Sequence, residues 1–233
     1  MEQHIVSAFD RDLEGVQAQV MKMGGLVEKA LLDAAEALER RDEALAEKVR
    51  AADKAIDEME ELIQTDCARI IALRAPNATD LRTVLTVMRM ASALERSGDY
   101  AKNLAKRSLV LMQMSPVNGA PGAVRRMAKA VVSQLSDALD AYIARDAQKA
   151  AEVRRRDQEV DQMYNGLFRQ FLTYMLEDPR TISACMHLHF IAKNIERVGD
   201  HATAIAEQVI YLVDGKMPVD ERPKLDSVGT ATD

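Results

Sequence analysis

The chain of 233 residues is 48% hydrophobic and 29% charged, a globular balance that excludes an intrinsically disordered protein. Asp and Glu number 37 against 31 Lys and Arg, a net charge of −6, so the basic excess of a dedicated nucleic-acid binder is missing and no nucleic-acid partner is expected. Two distant cysteines, Cys67 and Cys185, give neither a disulfide framework nor a zinc finger, and no apolar run approaches the ~20 residues of a membrane span.

Aromatic residues make up 4% of the chain and Trp is missing, while Ala, Leu, Met, Glu, Arg and Lys dominate, a composition that predicts an all-α protein. The start Met1-Glu2-Gln3-His4 has no basic flank or apolar stretch, so no signal peptide is expected. The expectation is a soluble, cytoplasmic protein that meets a membrane only through a partner.

Helical spacing of apolar residues predicts a first helix from residue 4 to about 41, with Gly24-Gly25 as a kink point. Arg40-Arg41-Asp42 reads as a turn into a second helix reaching about residue 74, and a third spans roughly 79 to 114. Met114–Ala123, with two prolines and two glycines, is the strongest linker signal. Helices at roughly 124–144, 146–177 and 180–214 follow, and from Lys216 the mixture of charge with Pro, Gly, Ser and Thr reads as a disordered tail. The expected division is a bundle over 1–114, a linker over 115–123, a second bundle over 124–215 and a tail over 216–233.

The two halves repeat each other. An offset of 104 residues places Arg41 and Asp42 on Arg145 and Asp146, and Asp53 and Asp57 on Asp157 and Asp161. An offset of 101 then places Glu95-Arg96-Ser97-Gly98-Asp99 on Glu196-Arg197-Val198-Gly199-Asp200. The change falls in the loops around Pro76 and Pro179, where length is most easily lost. The repeat predicts two tandem three-helix bundles.

Each repeat carries Asp-x-x-x-Asp on its second helix (Asp53, Asp57; Asp157, Asp161) and Glu-x-x-x-Asp on its third (Glu95, Asp99; Glu196, Asp200). Residues at i,i+4 share a helix face, where like charges oppose each other. Such a pair alone is an ordinary solvated face, but the midpoints of the pairs fall at the hairpin prolines, so antiparallel helices bring both pairs to one height. Four carboxylates that faced each other would suit Mg²⁺, Mn²⁺, Ca²⁺ or oxidised iron rather than a thiolate-seeking metal. No Glu-x-x-His accompanies them, so a di-iron oxidase core is not expected.

Gly98 and Gly199 stand mid-helix beside these pairs, where glycine costs about 1 kcal/mol against alanine, and imply close approach of a neighbouring helix or ligand. Arg96 and Arg197 read as partners of a nearby carboxylate, with an anion such as phosphate as the other reading. Cys185, His187 and His189 look like a ligand cluster, but Val84 and Met88 replace Cys185 and His189 in the first repeat, which favours a structural role. His201 has Tyr100 as its counterpart. No nucleophile and base are arranged for catalysis; a metal-dependent hydrolase built on the carboxylates, or a plain helical scaffold, are the competing readings.

The two motifs, with Ala206-Glu-Gln-Val-Ile-Tyr-Leu-Val-Asp-Gly215 closing the last helix, resemble the PhoU family of bacterial phosphate-system proteins over residues 1 to about 215. The resemblance implies two three-helix bundles whose acidic motifs hold iron, zinc, manganese or magnesium through Asp53, Asp57, Glu95, Asp99, Asp157, Asp161, Glu196 and Asp200. It also implies a cytoplasmic, non-enzymatic negative regulator of the phosphate-starvation response, a homodimer that contacts the phosphate ABC transporter ATPase and a sensor histidine kinase. The family's Asn four residues beyond the motif is present as Asn103 but replaced by Ala204, which implies a weaker second site.

Overall fold

A computed structural model describes the backbone of residues 2–218 and the side chains of residues 9–218. The chain builds its first helix, α1, over Glu2–Arg40. Val16, Val20, Met23, Val27, Leu31, Ala34 and Leu38 are buried along it, steps of three and four residues that keep one stripe facing the core. The helix runs unbroken through Gly24-Gly25. A Cβ at Gly24 would run into Leu139 on the fourth helix, whereas one at Gly25 would meet nothing. The first glycine therefore makes room for a neighbouring helix.

The turn out of α1 is the same in both repeats. Arg41 (φ 55°) and Arg145 (φ 49°) are left-handed, an uncommon conformation for a residue with a side chain. The next residue caps a helix: Asp42 accepts from the Leu45 N–H at the start of α2 (Glu43–Arg74), and Asp146 accepts from the Gln148 and Lys149 N–H groups at the start of α5 (Ala147–Glu177). Arg41 also donates to the carbonyls of Met112 and Met114, tying this turn to the far end of the third helix.

Pro76 lies in the connection to α3 (Ala78–Met112), which Asn77 caps through the Thr79 and Asp80 N–H groups. The matching connection, Asp178 and a 3-10 turn over Pro179–Thr181 ahead of α6 (Ile182–Asp214), is not shorter; the change of offset expected in the loops falls instead in the helices, α6 starting closer to Glu196 than α3 does to Glu95. The expected linker ends earlier than read. Gly119 (φ 79°) starts α4, which runs over Ala120–Ala144 with Pro121 in its first turn, where a fixed φ and a missing N–H cost nothing. Gly215 (φ 76°) closes α6. The tail expected from residue 216 falls, from 219 onward, outside the described residues.

α1, α2 and α3 pack as one bundle and α4, α5 and α6 as a second. The bundles join through α1 against α4 and α3 against α6. Each joining helix thus packs on its own repeat counterpart, the relation a twofold operation gives. Among the described residues α2 and α5 touch only their own bundle.

Candidate metal centres

The hairpins α2–α3 and α5–α6 decide which side chains meet. In the first repeat Lys102, on α3, lies 2.5 Å from Asp53 Oδ2 on α2 and 3.4 Å from Asp99 Oδ1 on its own helix. Asp53 is buried and Asp57 exposed, with Glu95 and Asp99 between. Partial burial, then the charge of Asp53, pushes the Asp57 carboxyl above the usual carboxylate range. Burial, then Asp99, Glu60 and Asp57, does the same to Glu95. The four acids predicted from the pairs therefore act on one another as a cluster.

Glu60 belongs to that cluster and was not singled out from the sequence. It stands seven residues after Asp53 on the same face of α2, and it accepts from the Ser92 hydroxyl at 2.7 Å and from Gln64 at 3.5 Å. Its equivalent in the second repeat is Tyr164, so a search for residues shared by both halves passes over it.

The second cluster is more enclosed. Asp157, Asp161 and Glu196 are all buried. Burial first, then Asp200 and Asp161, raises the Glu196 carboxyl against the lowering effect of Lys193. Lys193 sits one turn before Glu196, with Nζ 2.8 Å from Oε1 and over the Tyr164 ring. Gln134 reaches in from α4 and donates to Asp157 Oδ1 at 3.0 Å and to Thr203 Oγ1 at 3.2 Å. Neither lysine has a lysine counterpart: Lys102 corresponds to Thr203, and Lys193 to Ser92. Each repeat neutralises its acids from the opposite end of the cluster.

The two mid-helix glycines are explained by contact. A Cβ at Gly98 would lie 3.0 and 3.1 Å from the tip and branch of Ile56 on α2. One at Gly199 would lie 3.3 Å from both Asp157 Oδ1 and Gln134 Oε1. Glycine lets α2 and α5 close onto the motif helices, and in the second repeat it lets a carboxylate and an amide oxygen in with them.

The donor set fits an oxygen-ligated cation. Asp53 Oδ1, Gln134 Oε1 and Glu196 Oε2 are buried and accept no hydrogen bond, an arrangement costing about 1–3 kcal/mol for each group that a hard cation relieves. Among the described residues, no three His, Cys, Asp or Glu side chains stand in ligating geometry; a lysine ammonium stands against the acids of each cluster instead. Asn103 is exposed one turn beyond Asp99.

The other candidate residues separate. Cys185 is buried, with its thiol pushed up by burial. His187 Nδ1 lies 3.4 Å from Arg107 of the other repeat. His189 packs among Tyr164, Phe168 and Phe190. The apparent ligand trio is structural. Arg96 and Arg197 do not take the ion pairs expected of them, because the lysines do; both guanidinium groups are exposed.

Comparison with known proteins matches the same unit twice: the sequence profile of the PhoU domain fits residues 20–108 and again residues 124–209. A phosphate-specific transport system accessory protein PhoU homolog of Caulobacter vibrioides is 45% identical over 226 residues, covering 97% of this chain and 98% of the relative. The protein of the same description from Rhizobium meliloti is 43% identical over 233 residues, covering 99% and 98%. The crystal structure of PhoU from Pseudomonas aeruginosa is similar with a TM-score of 0.86 and 40% identity, covering 89% of this chain and all of that one. That of the phosphate transport system regulatory protein PhoU from Streptococcus pneumoniae has a TM-score of 0.83 and 30% identity, covering 90% and 99%.

Proposed function

We infer that this chain, which belongs to the PhoU family, is a regulatory accessory protein of phosphate uptake rather than an enzyme. The carrying observation is the double domain match in this chain together with its alignment, along nearly their whole length, to relatives described as phosphate-specific transport system accessory proteins. The reading is of a cytoplasmic adaptor, working as a homodimer, that links the phosphate ABC transporter ATPase to a sensor histidine kinase and damps the starvation response. Its net charge of −6 directs it to protein partners rather than to DNA. No described helix is long and apolar enough to cross a membrane, so contact with a transporter would run through the transporter's own soluble parts.

Within that role each repeat holds its own metal. Asp53, Asp57, Glu95 and Asp99 would hold one, and Asp157, Asp161, Glu196 and Asp200 the other, with iron, zinc, manganese and magnesium as candidates. The support is the set of buried, undonated oxygens beside self-repelling carboxylates. A bound cation supplies positive charge between the two helices of a hairpin, and the chain's part is to set their separation through Gly98 and Gly199.

Two measurements test the reading. Deleting the gene should switch on alkaline phosphatase at high phosphate; unchanged repression, with transporter and kinase intact, rejects the adaptor. Metal analysis of the protein purified without chelator should find metal in both repeats, and Asp57→Ala with Glu95→Ala should empty the first only. Loss from both, or from neither, rejects independent sites.

A further inference from the structure

The seam between the repeats carries a second group of functional side chains. Where α3 packs on α6, Tyr100 stacks on its own counterpart His201, with ring centroids 5.8 Å and planes 22° apart. Beside that stack opens a groove of about 420 Å³, lined by Gln64, Met88, Arg89, Ser92 and Arg96 from the first repeat and by His201 from the second. This volume lies in the range of sites that hold a whole small molecule. Arg96 acts electrostatically on His201, as do Asp200 in the opposite sense and Arg197, the counterpart of Arg96. The arginine of one motif and the histidine beside the other thus line the same groove.

We propose that this groove binds a small anion carrying two or more phosphoryl groups, gripped by Arg89 and Arg96 and bounded by His201. Guanidinium is the side-chain group best matched to phosphate oxygens, through paired N–H donors. Of the five donors on Arg89, one is used on Gln208 Oε1, at 3.2 Å. Both arginines are exposed and free of the acidic clusters, whose ion pairs are taken by lysine. Two acids lie near: Asp200, whose charge acts on His201, and Glu60, turned toward Ser92 and Gln64, which donate to it; the hydroxyl and amide lining the groove hold the Glu60 carboxylate in place.

Spacing selects the ligand class. Arg89 and Arg96 are seven residues apart, two turns or about 10 Å along the helix. A single orthophosphate reaches both only if the side chains fold toward each other along the axis. A chain of phosphoryl groups meets them extended. Met88 at the wall and the stacked Tyr100–His201 pair at the edge give an attached organic group an apolar surface as well, so the same chemistry comes either from a free phosphoanhydride chain or from a nucleotide. A chain with net charge −6 repels polyanions as a whole, which makes binding here a local property of these residues.

The inference goes beyond the metal sites and does not depend on them, so it is tested on the full chain after metal removal, with no divalent cation present. Isothermal titration at 0.1 M salt compares tripolyphosphate, a nucleoside triphosphate, orthophosphate and sulfate. Tripolyphosphate or the triphosphate should bind at least tenfold tighter than orthophosphate and sulfate; the tighter of the two identifies the source. Arg89→Gln and Arg96→Gln should each weaken that binding at least tenfold, Arg96→Lys by less, with melting temperatures unchanged because the side chains are exposed. No saturable binding up to millimolar ligand, equal affinity for orthophosphate, or binding that both arginine variants leave intact would overturn the assignment.

Discussion

Replacing Lys102 by methionine isolates what the internal cation contributes. Its ammonium lies 2.5 Å from Asp53 Oδ2 and 3.4 Å from Asp99 Oδ1, and the lysine side chain is 42% exposed while that of Asp53 is 5% exposed. Breaking a fully buried pair costs roughly 3–5 kcal/mol, whereas an exposed pair contributes about 0–1 kcal/mol. With one end buried and the other wet, Lys102→Met should destabilise the metal-free protein by about 1–3 kcal/mol, the methionine keeping the apolar packing of the stem. At about 2–4 °C per kcal/mol for a chain of this size, the melting temperature in chelator should fall by about 2–12 °C. Lys106→Met, one turn further on an exposed position, should change it little. Adding Mg²⁺ or Mn²⁺ should raise the variant's melting temperature more than the parent's, because the ammonium no longer competes for the carboxylates. An unchanged melting temperature in chelator would show the pair to be solvated and would refute the argument that lysine neutralises this cluster.

Gly25→Ala, with nothing within 4 Å of the new Cβ, should stabilise the protein by about 0.5–1 kcal/mol, while Gly24→Ala, driven into Leu139, should destabilise it; denaturant titration of the pair checks both signs. Gly98→Ala gains about 1 kcal/mol of helix propensity but crowds Ile56 at 3.0 Å, a cost of about 1–3 kcal/mol, so a net loss is expected in the same assay. Asp42→Ala and Asp146→Ala each remove a helix cap and should cost about 1 kcal/mol. Burial pushes the Cys67 thiol up to about 12 and raises Cys185 as well, so neither should react with a thiol reagent at pH 8 until denaturant is added; rapid labelling of the native protein would contradict their burial.

The helices and the repeat were legible because they rest on spacing. Apolar steps along α1, the Arg-Asp turn and the prolines at the hairpins are local signals, and each falls where the structure puts a core stripe, a cap or a loop. Pro121 misled, since proline reads as a break although it is welcome in a first helical turn. The contact that calls for glycine at position 24 was hidden too, its partner Leu139 being far away in sequence. The acidic clusters were legible through their duplication, and what the duplication hid was whatever differs between the halves. Glu60, Gln134, Lys102 and Lys193 have no like counterpart, and they supply the hydrogen bonds and charges that finish each cluster. A repeat reveals what both copies kept and conceals what each acquired alone. Besides the exchange of Asn103 for Ala204, legible from the motif, the two sites differ in the lysine that stands against their acids.

The way the bundles join has a mechanical consequence. α1, α3, α4 and α6 form a four-helix spine, while α2 and α5 ride outside it like outriggers, each attached to one half alone. Every acidic cluster straddles that division, with its Glu-x-x-x-Asp pair on the spine and its Asp-x-x-x-Asp pair on an outrigger. Charge gained or lost within a cluster would therefore act between an outer helix and the spine rather than across the contacts that hold the two halves together. The two clusters thus lie on separate flanks, each at the place where one outer helix meets the shared spine.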